Sequence, residues 1–250
     1  MHMIIDTILD YTADYIPLFP FTQVELNKKR QATRKKLEAF IHRYCFQKLI
    51  GTACVTDKDS GAELPVYITK SLLTKPLYLS VYVGEGFEAR CLAEAEVQGI
   101  EGTNPDSLAL LEFPKGIYHT SVREYAEPQG ALFIERLDAY ARQKCRGGGS
   151  ILVQAVAEIA ICHGLGVKIA LTAAGDSHGF YVAACRMTSD NPKQDEAMLT
   201  AFQNAKTGKP CPEFGGVSMY CKKEADDFWK EKIMARPVLF ISSENRTPSQ

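Results

Sequence analysis

A stretch of 50 residues, 132–181, decides the fold: LFIERLDAYARQKCRGGGSILVQAVAEIAICHGLGVKIALTAAGDSHGFY. Its pattern predicts a strand at residues 132–139, a basic loop that ends in three glycines, a long apolar helix, a second strand at residues 167–173 and a short helix that begins near residue 177. Parallel strands need a crossover connection, usually a helix, and this order of elements supplies one. The stretch therefore predicts a β-loop-α-β-α unit inside an α/β fold.

The loop before the long helix has the composition of an anion site. Three consecutive glycines, residues 147–149, let the backbone turn and point several N–H groups at one place, while the start of a helix adds partial positive charge. Arg142, Lys144 and Arg146 lie in the same loop. We expect a phosphate group here, and the number of cations favours a diphosphate.

The helix after the glycines is apolar on almost every side. Between residues 151 and 161 only Gln154 and Glu158 are polar, and their spacing of four makes one narrow stripe. We therefore expect this helix to be covered over most of its circumference. Gly164 and Gly166 are expected to end it in the left-handed conformation.

The composition is that of an ordinary globular chain. It has 250 residues, 46% of them hydrophobic, and a formal net charge of −1. We find no apolar run long enough for a membrane helix and no secretory leader pattern, and the charge balance does not favour nucleic acid. The eight cysteines contain no Cys-x-x-Cys pair, so we expect reduced thiols, no bound metal and a cytoplasmic protein.

The N-terminal part is expected to form an extension, residues 1–75, ahead of a main domain at residues 76–250. Residues 23–49 have helical periodicity, and six cations between residues 28 and 36 leave open either a surface for an anionic partner or a solvated helix face. A hairpin is predicted from two β-rich runs joined by turn residues, 52–56 and 64–69. Further strands are predicted at residues 76–83, 87–97 and 117–125.

The part after the central stretch is less regular. Residues 188–216 are rich in Pro, Gly, Asn and Lys, which indicates either a functional loop or an insertion, with a short helix at residues 197–205. Two final strands are predicted at residues 217–221 and 238–241, on either side of a charged helix at residues 223–234.

The central stretch resembles the GNAT superfamily of N-acetyltransferases. The acetyl-CoA signature of that superfamily is Arg or Gln, two residues, Gly, one residue, then Gly or Ala, directly before a helix. Residues 144–149, KCRGGG, take that place, with Lys144 at the Arg or Gln position. A second marker, a Phe-Tyr pair after the next strand, is matched by Phe180 and Tyr181. Ala174 replaces a frequent Asn, and Cys185 with Arg186 replaces a usual Gly-Phe, so the chain resembles a divergent member.

The resemblance implies a fold and a set of site residues. The fold would be a mixed, twisted sheet of about seven strands with helices on both faces. Tyr181 would protonate the departing thiolate, and Glu135 would be the base, although its offset from the glycines differs by about two residues. The backbones of Leu137 and Ala139 would pair with the pantetheine arm of CoA. The diphosphate would be held by Lys144, Arg146, Gly147, Gly148, Gly149 and Ser150.

The implied activity is transfer of an acetyl group from acetyl-CoA to an amine, on a small molecule or on a protein lysine or N-terminus. The expected partners are acetyl-CoA and that acceptor, with a homodimer left open. A CoA-binding sensor without catalysis is the first alternative. A nucleotide-dependent oxidoreductase is the second, but the glycine spacing differs from a Rossmann fingerprint. Two alternative roles also stay open. Tyr181 is then a core aromatic residue, and Glu135 is then an ion-pair partner of Arg136 rather than a buried base.

Overall fold

The computed structural model describes residues 47–72, 76–84, 89–103, 120–140, 144–175, 177–207, 212 and 214–240. The basic run at residues 28–36 lies outside the described residues. The chain divides into two compact units, residues 1–48 with 71–74, and residues 49–70 with 75–250. All described helices, and all but the end residues of the described strands, belong to the second unit.

Eight strands of the described residues form one mixed sheet in the order β6-β1-β2-β3-β4-β5-β7-β8. Their bounds are β1 Gln47–Asp57, β2 Glu63–Ser71, β3 Leu77–Val83, β4 Arg90–Ile100, β5 Ala131–Ala139, β6 Cys145–Arg146, β7 Ile169–Gly175 and β8 Phe214–Tyr220. The described helices are α1 Thr120–Ala126, α2 Gly148–Cys162, α3 His178–Cys185, α4 Pro192–Lys206 and α5 Lys223–Ala235. The predicted mixed α/β architecture is confirmed, with eight strands rather than about seven.

The central unit has the predicted order. β5 and β7 are parallel and adjacent, and α2 connects them. Gly164 and Gly166 follow α2 with φ values of +72° and +62°, the left-handed conformation that was expected. α2 begins at Gly148, three residues before its apolar run, so the glycines themselves form the first turn of the helix.

Three predicted elements differ from the structure. Residues 117–125 were predicted as a strand, but α1 occupies Thr120–Ala126, because its two buried residues, Val122 and Ala126, are four apart as in a helix. The helix predicted at residues 23–49 is wrong over residues 47–49, which belong to β1, and residues 23–46 lie outside the described residues. The predicted last strand is reduced to a single bridge between Leu239 and Gly51 of β1.

The core lies on both faces of the sheet. Leu132 and Ile134 of β5 belong to a large buried cluster with α2, whereas Ala131 and Phe133 belong to a smaller cluster with α1. Alternate residues of a strand point to opposite faces, so α1 and α2 cover opposite sides of β5. Among the described residues, no helix combines the length and the hydropathy that a membrane span requires.

The polar stripe of α2 is buried and binds the segment after α5. Glu158 is 1% exposed, and its two carboxylate oxygens accept hydrogen bonds from the backbone N–H groups of Val238 and Leu239, at 2.8 and 2.9 Å. Gln154 donates to the carbonyl of Arg236 at 2.7 Å and to Glu158 at 3.1 Å. Gln154 and Glu158 therefore provide hydrogen-bond partners for backbone groups of residues 236–239, which form only a single bridge with β1 among the described residues.

We predict that Glu158→Ala lowers the free energy of unfolding by about 2–4 kcal/mol, because two backbone donors lose their acceptor in a buried place. Chemical denaturation measures the change. Glu231→Ala, on the exposed side of α5, is the matched control and should stay within about 0.5 kcal/mol of the parent. Equal stability of the two variants would contradict the anchoring role of Glu158.

Candidate functional site

The site begins where β5 and β7 separate. The two parallel strands pair over only three positions, Leu132 with Ile169, Phe133 with Ala170 and Ile134 with Leu171. At the next residue β5 has a bulge, because Ile134 pairs with Val97 of β4 while Arg136 pairs with the adjacent Glu96. A bulge bends its strand, and β5 continues along β4 rather than along β7. A gap opens between the parallel strands.

A cavity of about 430 Å³ lies at this gap, within the usual size range of small-molecule sites. β5 contributes Leu137 and Ala139, and β4 contributes Leu92. The remaining lining residues come from four other segments: Lys58, Cys145, Arg146, Gly147, Gly148, Gly149, Ser150, Ser177, Phe180, Tyr181, Phe202 and Ala205. The central unit therefore builds most of the wall, and the β1–β2 turn and α4 complete it.

One end of the cavity is the start of α2. Gly147 is the N-cap residue of α2 and has a φ of +115°, a backbone conformation that residues with a side chain rarely adopt. No side chain caps the first amides of the helix. A Cβ at Gly148 would lie 3.3 Å from the Cβ of Ala93, so the helix start packs tightly on β4. The first N–H groups of a helix have no partner within it. Here they lie at a cavity wall, which suits an anion.

The charged side chains that line the cavity are both cations. Arg146 belongs to the glycine loop, and Lys58 belongs to the turn between β1 and β2. No Asp, Glu or His is among the lining residues of the described chain. The described residues also contain no group of three or more His, Cys, Asp or Glu side chains that could hold a metal ion. The described lining residues therefore give the cavity a positive charge.

A third cation stands behind the helix start. Lys232 of α5 donates a hydrogen bond to the hydroxyl of Ser150 at 3.1 Å and lies 4.5 Å from the ring centroid of Trp229. Burial lowers the pKa of Lys232 below the usual lysine value. Among the described residues, none of the ion pairs includes Lys232. A cation at the positive end of a helix dipole is unfavourable by itself, and an anion near Ser150 would relieve it.

The other end of the cavity is aromatic. Tyr181 is 6% exposed and packs edge-on against Phe180, with ring centroids 5.1 Å apart. Phe202 reaches the cavity from α4, which packs closely on α3 at Gly179. A Cβ at Gly179 would lie 2.1 Å from the Cβ of Phe202, so only glycine permits this approach.

Most of the predicted site residues meet at this cavity. Leu137, Ala139, Arg146, the three glycines, Ser150 and Tyr181 all line it. Lys144 is exposed and does not line the cavity, although its carbonyl accepts a hydrogen bond from the backbone N–H of Lys58.

Glu135 is exposed and lies outside the cavity lining, so of the two alternatives left open the structure does not support a buried carboxylate. The reason is the bulge, because Glu135 is the extra residue between the paired positions Ile134 and Arg136. Arg136 forms an ion pair with Asp138 at 2.5 Å. The role of Glu135 as a base stays a prediction.

Two cysteines near the site differ in character. Cys145 lines the cavity and is half-buried. Cys185 is fully buried, and this burial raises the pKa of its thiol to about 12. The thiolate is the nucleophilic form, so Cys185 is inert at neutral pH.

Sequence reasoning missed Lys58, Lys232 and Phe202. The turn at Lys58 was recognised as a hairpin turn, but its place beside the glycine loop depends on the pairing of β1 with β6. The helix that carries Phe202 was predicted at residues 197–205 and is confirmed as part of α4. Gly179, placed just before the Phe-Tyr pair, was the available signal for a close helix contact.

Comparisons of the chain with protein-family models, curated proteins and solved structures find no match. The GNAT resemblance therefore rests on the residues of the central unit and stays a prediction.

We predict that Gly179→Ala destabilises the protein by about 1–3 kcal/mol or more, because the added methyl group overlaps Phe202. Urea denaturation gives the value. Gly215→Ala is the matched control, since a Cβ there meets nothing within 4 Å. If Gly179→Ala is as stable as the control, α4 does not pack on α3 in the way described.

Proposed function

We propose that the protein is an acetyl-CoA-dependent N-acetyltransferase of the GNAT type. The observation that carries the proposal is the cavity at the separation of β5 and β7. There the uncapped start of α2 meets the buried Tyr181, and the charged side chains among the described lining residues are cations. The acceptor would be an amine of a small molecule or of a protein.

The diphosphate of CoA would bind at the start of α2. Two or more negative charges suit the amides of Gly148, Gly149 and Ser150 together with Arg146 and, behind Ser150, Lys232.

The pantetheine arm would lie along β5. Beyond Ile134, β5 no longer pairs with β7. Leu137 and Ala139 lie on this part of β5. Pantetheine is extended and contains amides, so it can add to a strand edge by main-chain hydrogen bonds. This position would direct the thioester into the gap between the strands.

Tyr181 would act on the leaving group. The amine attacks the thioester carbon, a tetrahedral intermediate forms, and its collapse breaks the C–S bond. The phenolic O–H of Tyr181 would give its proton to the departing thiolate and regain one from solvent. No carboxylate or histidine of the described residues lines the cavity, so the proton lost by the amine would go to bulk water, with Glu135, outside the lining, as the alternative acceptor.

A CoA-binding module without catalysis is the second candidate. The lack of an acid or histidine in the described lining, together with the exposed position of Glu135, favours it. Both candidates bind CoA at the same place and differ only in turnover.

We predict that side chains added at Gly149 weaken CoA binding in order of size. A Cβ there would lie 3.4 Å from Leu137 and 3.5 Å from Phe180, an ordinary contact, so Gly149→Ala should fold. Gly149→Leu fills the cavity further and should lower the affinity at least about tenfold, measured by calorimetry. Gly215→Ala serves as the control. A folded Gly149→Leu variant with the affinity of the parent would show that CoA binds elsewhere or not in this way.

We predict that Tyr181→Phe lowers kcat about ten- to a thousand-fold while the affinity for CoA changes little, because the ring is kept and only the acid is lost. Acetyl transfer to a panel of amines and to a protein pool is the assay. Tyr140→Phe removes a hydroxyl outside the cavity lining that donates to the buried Glu94, so its turnover is compared per folded molecule and should stay at the parent value. Normal turnover in Tyr181→Phe removes the assignment, and CoA binding by the parent without any transfer favours the silent module.

A further inference from the structure

We propose that Lys58 binds the 3′-phosphate of the CoA nucleotide, so that the cavity selects a 3′-phosphorylated donor. The inference rests on the proposed function and names the ligand group that one residue recognises. It starts from a cation that the central unit does not supply, because Lys58 comes from the turn between β1 and β2.

The β1–β2 turn is joined to the glycine loop by backbone pairing. Asp57 pairs with Cys145 and Thr56 pairs with Arg146 in the short ladder of β1 and β6. The N–H of Lys58 donates to the carbonyl of Lys144 at 2.8 Å. These bonds hold the turn at a constant distance from the anion end of the cavity, even though 86 positions separate Lys58 and Lys144 in sequence.

The turn also holds its own conformation. One carboxylate oxygen of Asp57 accepts hydrogen bonds from the N–H groups of Asp59 and Ser60, at 3.0 and 2.8 Å, and from the Ser60 hydroxyl at 2.9 Å. The Asp57 carboxylate is thereby occupied within the turn. Lys58 is the turn residue that lines the cavity, and the backbone that carries it is already fixed by these bonds.

The number of cations at the cavity favours a second anionic group. The start of α2 with Arg146, and with Lys232 behind Ser150, already suits the diphosphate. Lys58 adds a further cation from a different segment of the chain. CoA has a second anionic group, the 3′-phosphate of its ribose, whereas 3′-dephospho-CoA has the diphosphate alone. The pattern of charges therefore fits the phosphorylated nucleotide.

The test compares CoA with 3′-dephospho-CoA by calorimetry at one low ionic strength, on the full chain. The parent should bind CoA about three- to tenfold more tightly than the dephospho form. Lys58→Ala should abolish this preference by weakening CoA alone, and Lys58→Arg should keep it. Lys193→Ala, an exposed residue of α4 outside the cavity, removes the same charge and should leave the preference unchanged.

The outcomes separate the inference from the proposed function. If the parent binds both ligands and Lys58→Ala keeps the preference, or lowers the affinity for both ligands equally, Lys58 does not bind the 3′-phosphate. The proposed binding of CoA is then still supported. If the parent binds neither ligand, the proposed function and the inference both fail. Lys58→Gln, checked for folding by circular dichroism, repeats the measurement should the alanine variant be unstable.

Discussion

The separation of β5 from β7 after three paired positions is the constraint on which the rest of the site depends. A parallel pair that continued to Ala139 would close the sheet and leave no room beneath the start of α2. The bulge at Glu135 instead keeps β5 on β4 and turns its other edge towards the cavity. The bulge at Glu135 therefore opens the site, and it also leaves the Glu135 side chain exposed.

The position of α2 also depends on its two buried polar residues. Gln154 and Glu158 are the only polar residues between positions 151 and 161 of a helix that packs on β3, β4, β5 and β7. They are buried because the segment at residues 236–239 lies over them and takes its backbone hydrogen bonds from them. The sheet and this segment therefore hold α2 in place, together with its first turn, which forms the anion end of the cavity.

The parts of the fold that could be predicted from sequence are those with a local cause. Alternation and apolar runs identify β5, α2 and β7, and the glycines identify a helix start and a helix end by their conformational freedom. The residues of α1 were misread as a strand because a seven-residue helix offers only two buried positions to show its period. The exposure of Glu135 could not be decided from the sequence, because a bulge depends on the register of two strands, which one strand does not display.

The sequence by itself determined the parallel β-α-β unit, the glycine start of α2 and the pairing of Phe180 with Tyr181, since each depends on residues that are neighbours in the chain. The tertiary structure alone decided that Tyr181 meets that helix start at one cavity, that Lys58 lies beside the glycine loop, and that Lys232 stands behind Ser150. These placements arise from contacts between segments far apart in sequence, and no local pattern carries the curvature and packing that bring such segments together.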